Sequence, residues 1–138
     1  MQFVQDTKRL THRGALFMLT AAVSRAEEIG QPQCIVIVDA GGDVVAEIRM
    51  TGAKFLSRKS ALAKALTAAS TGVETTAIPE AVRTPIGFAS DGKVTGLPGG
   101  LPIVHEGVLL GGIGVGSGSG DQDIEVAKAG LAALGEGG

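Results

Sequence analysis

Tyrosine and tryptophan are missing from this chain, and four phenylalanines supply all of its aromatic content. Single-stranded nucleic acid is gripped by stacking bases on aromatic side chains, so that platform is absent. Any flat ligand has to be held mostly by aliphatic side chains and backbone. Cysteine is as scarce: Cys34 stands alone, which excludes an internal disulfide and a thiolate metal cluster. Within the run CIVIV it reads as a buried structural thiol. Charge is thin, at 19% of residues with a net of -2 and no basic run. Phosphate neutralisation is therefore not on offer, and no nucleic-acid partner is expected. So few charges suit a chain that covers part of its surface in a homo-oligomer. No apolar run reaches the length of a membrane span, and the opening MQFVQDTKRLTHRG lacks the apolar core of a signal peptide. The expectation is a cytoplasmic protein without a membrane partner.

What the chain does have is glycine, 22 of 138 residues. Glycines concentrate between His105 and Leu134, where Gly112, Gly114, Gly116, Gly118 and Gly120 recur with the side-chain period of a strand. One strand face at Gly112, Gly114 and Gly116 then carries no side chains, while Ile113 and Val115 occupy the other. Glycine inside a strand is destabilising unless something must come close. A helix backbone, a symmetry mate or a flat or anionic ligand all fit that description.

Around this stretch the chain reads as helix, hairpin, helix, loop, hairpin, helix. Leu16, Leu19, Val23, Ala26 and Ile29 form a helical stripe between a Thr11 cap and Gly30. Cys34–Val38 and Asp43–Arg49 read as two strands joined by a turn in which Asp39 bonds its own backbone. A second helix covers about Phe55 to Thr71. A short helix or structured loop begins near Pro79 and is stopped by Pro85, after which 85–100 reads as a long loop. Leu101–His105 and Val108–Val115 form a hairpin about Glu106-Gly107. Ser119 and Gln122 have capping-box spacing for a last helix with Ile124, Ala127, Leu131 and Leu134 inward. Asp121 and Asp123 fall in its first turn, where negative charge is favoured. Hairpins joined this way give an antiparallel sheet covered by helices, an α+β class.

Familiar catalytic signatures are absent. There is no phosphate-loop motif, no H-E-x-x-H and no nucleophile elbow, and GIGVGSG is strand-periodic rather than a dinucleotide fingerprint. His12 and His105 are the imidazoles available as acid–base groups or haem ligands. His105 stands beside a turn, with Glu106 as an acid–base partner. Arg49, Lys59, Lys64 and Arg83 are the cations that could converge on a carboxylate or haem propionate near the glycine face of Gly112, Gly114 and Gly116.

Taken together, VIVDAGGDVVAEIRMTGA, the helix bearing Lys59 and Lys64, GGLPI, and GVLLGGIGVGSGSGDQDIEVAKAGLAAL resemble the GlcG/HbpS family, also called the haem-degrading or DUF336 domain. The C-terminal domain of PduO-type corrinoid adenosyltransferases is similar. The resemblance covers nearly the whole chain, with Asp123 to Ala127 as its D-x-x-V-A signature. Thr51 and Gly116 depart from the family pattern at positions bearing on a shared carboxylate role, not on the fold. The resemblance implies one α+β domain over residues 1–138, an antiparallel sheet of about five strands, a PAS- or profilin-like outline and assembly into homo-oligomers. It also implies a small-molecule binding protein with haem as the named ligand, for which, if haem is bound, His12 or His105 is the candidate metal ligand. Two other readings stay open. One is an enzyme acting on a small carboxylate metabolite, of isomerase, hydratase or decarboxylase type, in a catabolic pathway. The other is an oligomeric accessory or assembly subunit.

Overall fold

A computed structural model describes residues 2–137. Its first helix, α1 (His12–Glu28), starts where the Thr11 hydroxyl accepts the Gly14 N–H at 3.1 Å. The buried stripe of α1 is Ala15, Met18, Ala22 and Ala26. Leu16, expected inward, is 54% exposed. The rest of the expected stripe faces the core, with Ala26 buried and Leu19, Val23 and Ile29 packed against it, and α1 meets α4 closely where a Cβ on Gly130 would stand 3.6 Å from Ala22.

Strand β1 (Cys34–Asp39) turns into β2 (Val44–Arg49) through Asp39, whose carboxylate accepts the N–H groups of Gly41 and Asp43 at 2.9 and 3.0 Å. Helix α2 (Ser57–Thr71) ends at Gly72, which takes the left-handed conformation with φ 74°. A single 3-10 turn (Thr75–Ala77) leads to α3 (Glu80–Ala89). Pro85 lies inside α3 and does not stop it. The proline removes the donor that the Ala81 carbonyl would use, but both residues are exposed and water can serve instead. The expected long loop thus shrinks to residues 90–99. Strands β3 (Gly100–His105) and β4 (Val108–Gly116) follow, then α4 (Gly120–Gly137). The capping box at α4 is formed in full: the Ser119 hydroxyl accepts the Gln122 N–H at 3.2 Å, and the Gln122 amide oxygen accepts the Ser119 N–H at 2.9 Å.

The sheet is antiparallel throughout, in the order β2-β1-β4-β3. Four strands form it, not five, because the segment between α2 and β3 is helical. Pro102 is accommodated on the edge strand β3. Helices cover both faces. On one face Ile35, Ile37, Ile103, Ile113 and Val115 pack with Met18, Val126 and Ala127 of α1 and α4. On the other, Cys34, Val36 and Val38 meet Ala61, Ala65 and Ala69 of α2.

The bare strand face is the seat of α2. A Cβ at Gly114 would stand 2.6 Å from the Ala65 nitrogen, and one at Gly112 would stand 2.9 Å from the Ala69 nitrogen. Backbone lies on backbone there, and no ligand shares that space. Of the occupants that the glycine period allowed, it is the helix that sits at Gly112 and Gly114.

Candidate functional site

Strand β4 runs between two cavities. At its first end, past the β3–β4 turn, the N-terminal segment folds back so that Leu10 is buried and α1 begins beside the hairpin. A cavity of about 520 Å³ opens there, lined by Arg9, Leu10, Arg13, Phe17, His105 and Leu110 among others. That volume is in the range of small-molecule sites, and the lining has their usual character of apolar walls with a few polar groups. The imidazole of His105 is half-buried in this lining. His12, one residue from the Thr11 cap, is exposed and outside it. Glu106, in the turn with φ 49°, is exposed and ion-paired to Lys8. The Lys8 ammonium, by hydrogen bond and by charge, holds its carboxyl below the usual range.

At the other end of β4, Lys64 and Asp123 form a buried ion pair at 3.0 Å, each side chain 5% exposed. The Lys64 ammonium also donates to the Val115 carbonyl at 2.7 Å. The second oxygen of Asp123 accepts the Gly118 N–H at 3.0 Å. Burial pushes the Asp123 carboxyl above its ordinary value, against the opposing pull of Lys64 and the Gly118 N–H. Gln33, also fully buried, lies beside the same carboxylate and favours its charged form. Neither end of the Gln33 amide has a hydrogen-bond partner of ordinary geometry. A cavity of about 400 Å³ opens above the pair, walled by Lys54, Ser57, Ser60, Leu97, Pro98 and Ser117. The Ser117 hydroxyl accepts the Lys54 N–H at 3.0 Å, and Ser117 itself holds φ 94°. Gly99, with φ 116°, leaves room for the pair: a Cβ there would lie 2.8 Å from Asp123 and 3.3 Å from the Lys64 ammonium.

The residues singled out from the sequence are therefore divided. Arg49 pairs with Cys34, and Cys34 with Gly116, so Arg49 sits at the Lys64 end of the sheet. His105 pairs with Val108 at the opposite end. Val108 to Gly116 is eight strand steps, roughly 26 Å at about 3.3 Å each. His105 and Glu106 thus do not face Arg49 across one cleft. Lys59 is exposed near the start of α2, while Lys64, five residues on, is buried. Arg83 is used locally, donating to the carbonyls of Ile78 at 2.9 Å and Thr76 at 3.2 Å. Gly112 and Gly114 hold α2, and Gly116 lies against Ser57 and Ser60. Cys34 is buried, and burial raises its thiol above the ordinary value, as befits a structural residue.

Four functional candidates were not read from the sequence: Arg9, Arg13, Lys54 and Asp123. Arg9 and Arg13 are four apart, a spacing that could have flagged them, but only the return of the N-terminal segment sets them beside His105. Asp123 has a sufficient local explanation as a first-turn acid, which hid its partner 59 positions away. Among the described residues no group of three or more His, Cys, Asp or Glu is arranged to hold a metal ion, and no helix is long and apolar enough to cross a membrane.

Residues 10–132 match the family described as haem degrading protein HbpS-like, and the chain belongs to that family. It is 40% identical over 119 residues to the corrinoid adenosyltransferase PduO of Citrobacter freundii, an alignment spanning 83% of this chain but 36% of that enzyme. The fold is shared with protein ORFY of Klebsiella pneumoniae, at a TM-score of 0.93 and 27% identity, covering 98% of this chain and 97% of the other. A crystal structure described as a PduOC–heme complex superposes with a TM-score of 0.85 at 30% identity, over 91% of this chain and 95% of that one.

Proposed function

We propose that this small-molecule binding protein takes haem, in the cleft beside His105. The observation that carries the reading is the composition of that cleft. One imidazole, four apolar side chains (Leu10, Phe17, Leu110, Leu134) and two guanidinium groups (Arg9, Arg13) line a single cavity. Haem is a flat apolar body with an iron that takes a histidine and two carboxylates that pair with arginine. Each part of the molecule has a counterpart in the lining. The similar structure described as a heme complex supports the same ligand. Haem, when bound, supplies an iron centre for redox or gas-ligand chemistry. The chain's own contribution is an apolar wall that excludes water and a pair of cations that orient the carboxylates.

The PAS- or profilin-like outline, the single domain over the whole chain and the homo-oligomer belong to the same proposal. In support of self-association, α3 buries none of its residues, and Val82, Ile86 and Phe88 are exposed on it. Light scattering on the purified chain checks the subunit number.

Haemin titration of the purified protein, followed through the Soret band, tests the ligand. A saturable shifted band is expected, with His105→Ala changing its position and weakening binding. Scattering with a free-haemin spectrum would sink the reading. Loss of the band in His12→Ala with no effect of His105→Ala would move haem out of the cleft and onto the exposed start of α1.

A further inference from the structure

We infer that the cavity over Lys64 and Asp123 is a second ligand site, built for a short-chain carboxylate and separate from the His105 cleft. The inference does not rest on haem binding.

Three observations carry it. The first is unused bonding capacity at the floor. An ammonium has three N–H donors, and Lys64 uses two, to Val115 and Asp123. Buried donors without acceptors are costly, and Lys64 is part of the cavity lining, where an oxyanion could meet the third. The second is Gln33. Its buried amide stands behind Gly118, a lining residue, and next to the Asp123 carboxylate: a Cβ on Gly118 would stand 2.7 Å from the amide nitrogen and 2.9 Å from an Asp123 oxygen. An amide in that place supports the charged form of Asp123, so the floor under the cavity is polar and ionic, not a sealed apolar seam.

The third is the balance of charge and surface. Lys64 and Asp123 cancel each other, leaving Lys54 as the net charge of the lining. Ser57, Ser60 and Ser117 supply hydroxyls, and Leu97 and Pro98 supply an apolar wall. A positive polar end facing a small apolar wall suits an anion on a short hydrocarbon chain. A buried pair serving only to tie α2 to α4 would account for the contact at 3.0 Å, but not for the third Lys64 donor or the opening above it.

Propionate is the probe, with propionamide as its uncharged isostere and inorganic phosphate as an anion without a hydrocarbon arm. Amide chemical shifts of the isotope-labelled protein, without added haemin, report the site. Propionate is expected to give saturable shifts at Ser117, Gly118 and Gly120, and at the Gln33 side-chain amide. Lys54→Gln, an exposed rim substitution, should weaken this about tenfold while leaving haemin binding unchanged. Equal shifts from propionamide, a response to phosphate alone, or no saturable shift with propionate would each overturn the proposal. So would loss of haemin binding together with propionate binding in Lys54→Gln, since the two cavities would then be one site. Lys64→Met risks unfolding, so Ser60→Ala serves as the second variant. It should weaken propionate with an unchanged circular dichroism spectrum, and full-strength binding in it would count against the assignment.

Discussion

The two faces of β4 are built on opposite principles. Toward α1 and α4, β1 and β4 present Ile35, Ile37, Ile113 and Val115, and side chain fills the gap between layers. Toward α2, β4 presents glycine, and the helix backbone comes down onto the strand itself. The first face is tolerant in the usual way, since a trimmed side chain leaves a partly collapsible void. Along β4 the second face has nothing to trim and nowhere to expand, and the ordinary side-chain packing there comes from Val36 and Val38 of β1. It also ends in an ion pair, where the first face ends in a cleft of mixed lining. Apolar packing holds α1 and α4, whereas α2 combines apolar packing on Val36 and Val38 of β1 with backbone proximity to β4 and one buried charge contact to the start of α4.

Substitutions on the two faces should differ sharply. Gly114→Val is expected to have the largest effect, more than about 3 kcal/mol, because the added atoms meet the backbone of Ala61 and Ala65 rather than a movable side chain. Ile113→Val, the adjacent residue on the opposite face, should lose only about 1 kcal/mol. Urea unfolding of the two variants checks the contrast, and equal losses would break it.

Next is the ion pair. Asp123→Ala should destabilise by about 3 kcal/mol, because it strands the Lys64 ammonium in a buried site. The double variant Lys64→Met/Asp123→Leu should recover a large part of that loss. A double variant no better than the single one would show that the pair does more for stability than tether two helices.

A smaller effect is set by pH. Burial, the leading cause, lifts the Asp123 carboxyl above its ordinary 3.8. The folded chain then holds that proton more tightly than the unfolded chain. This contribution to stability is full below about pH 3.8 and is lost as pH rises through the folded-state value. Urea midpoints measured across the acid range should show this falling component in the parent and not in Asp123→Asn. The smallest effect is expected at the exposed turn. Lys8→Ala should let the Glu106 carboxyl climb back toward its ordinary value in a carboxyl-detected titration, with no measurable change in the urea midpoint.

Much of the fold was legible from short-range chemistry. Thr11 capping α1, Asp39 closing its own turn, and Ser119 with Gln122 framing α4 each act within a few residues. The reading failed where a longer-range contact outweighed the local cue. Leu16 belongs to a good helical stripe, yet it is exposed while Ala15, Met18, Ala22 and Ala26 make the buried line of the helix. Pro85 is a helix stop in isolation, but on an exposed helix its one missing bond can be left to solvent. The family was legible as a pattern over the whole chain, whereas the clustering within the candidate sites was not. Arg9 and Arg13 meet His105 only because the chain returns there after nearly a hundred residues.

By itself the sequence determined the α+β class, the hairpins, the caps and the bare face of β4, since backbone preferences and side-chain periods are local properties. It left open what would lie on that face. Tertiary structure decided that α2 occupies Gly112 and Gly114, that His105 and Lys64 belong to different cavities, and that Lys64 is buried against Asp123. Those outcomes depend on strand register and helix rotation, which emerge only when distant segments compete for the same buried space.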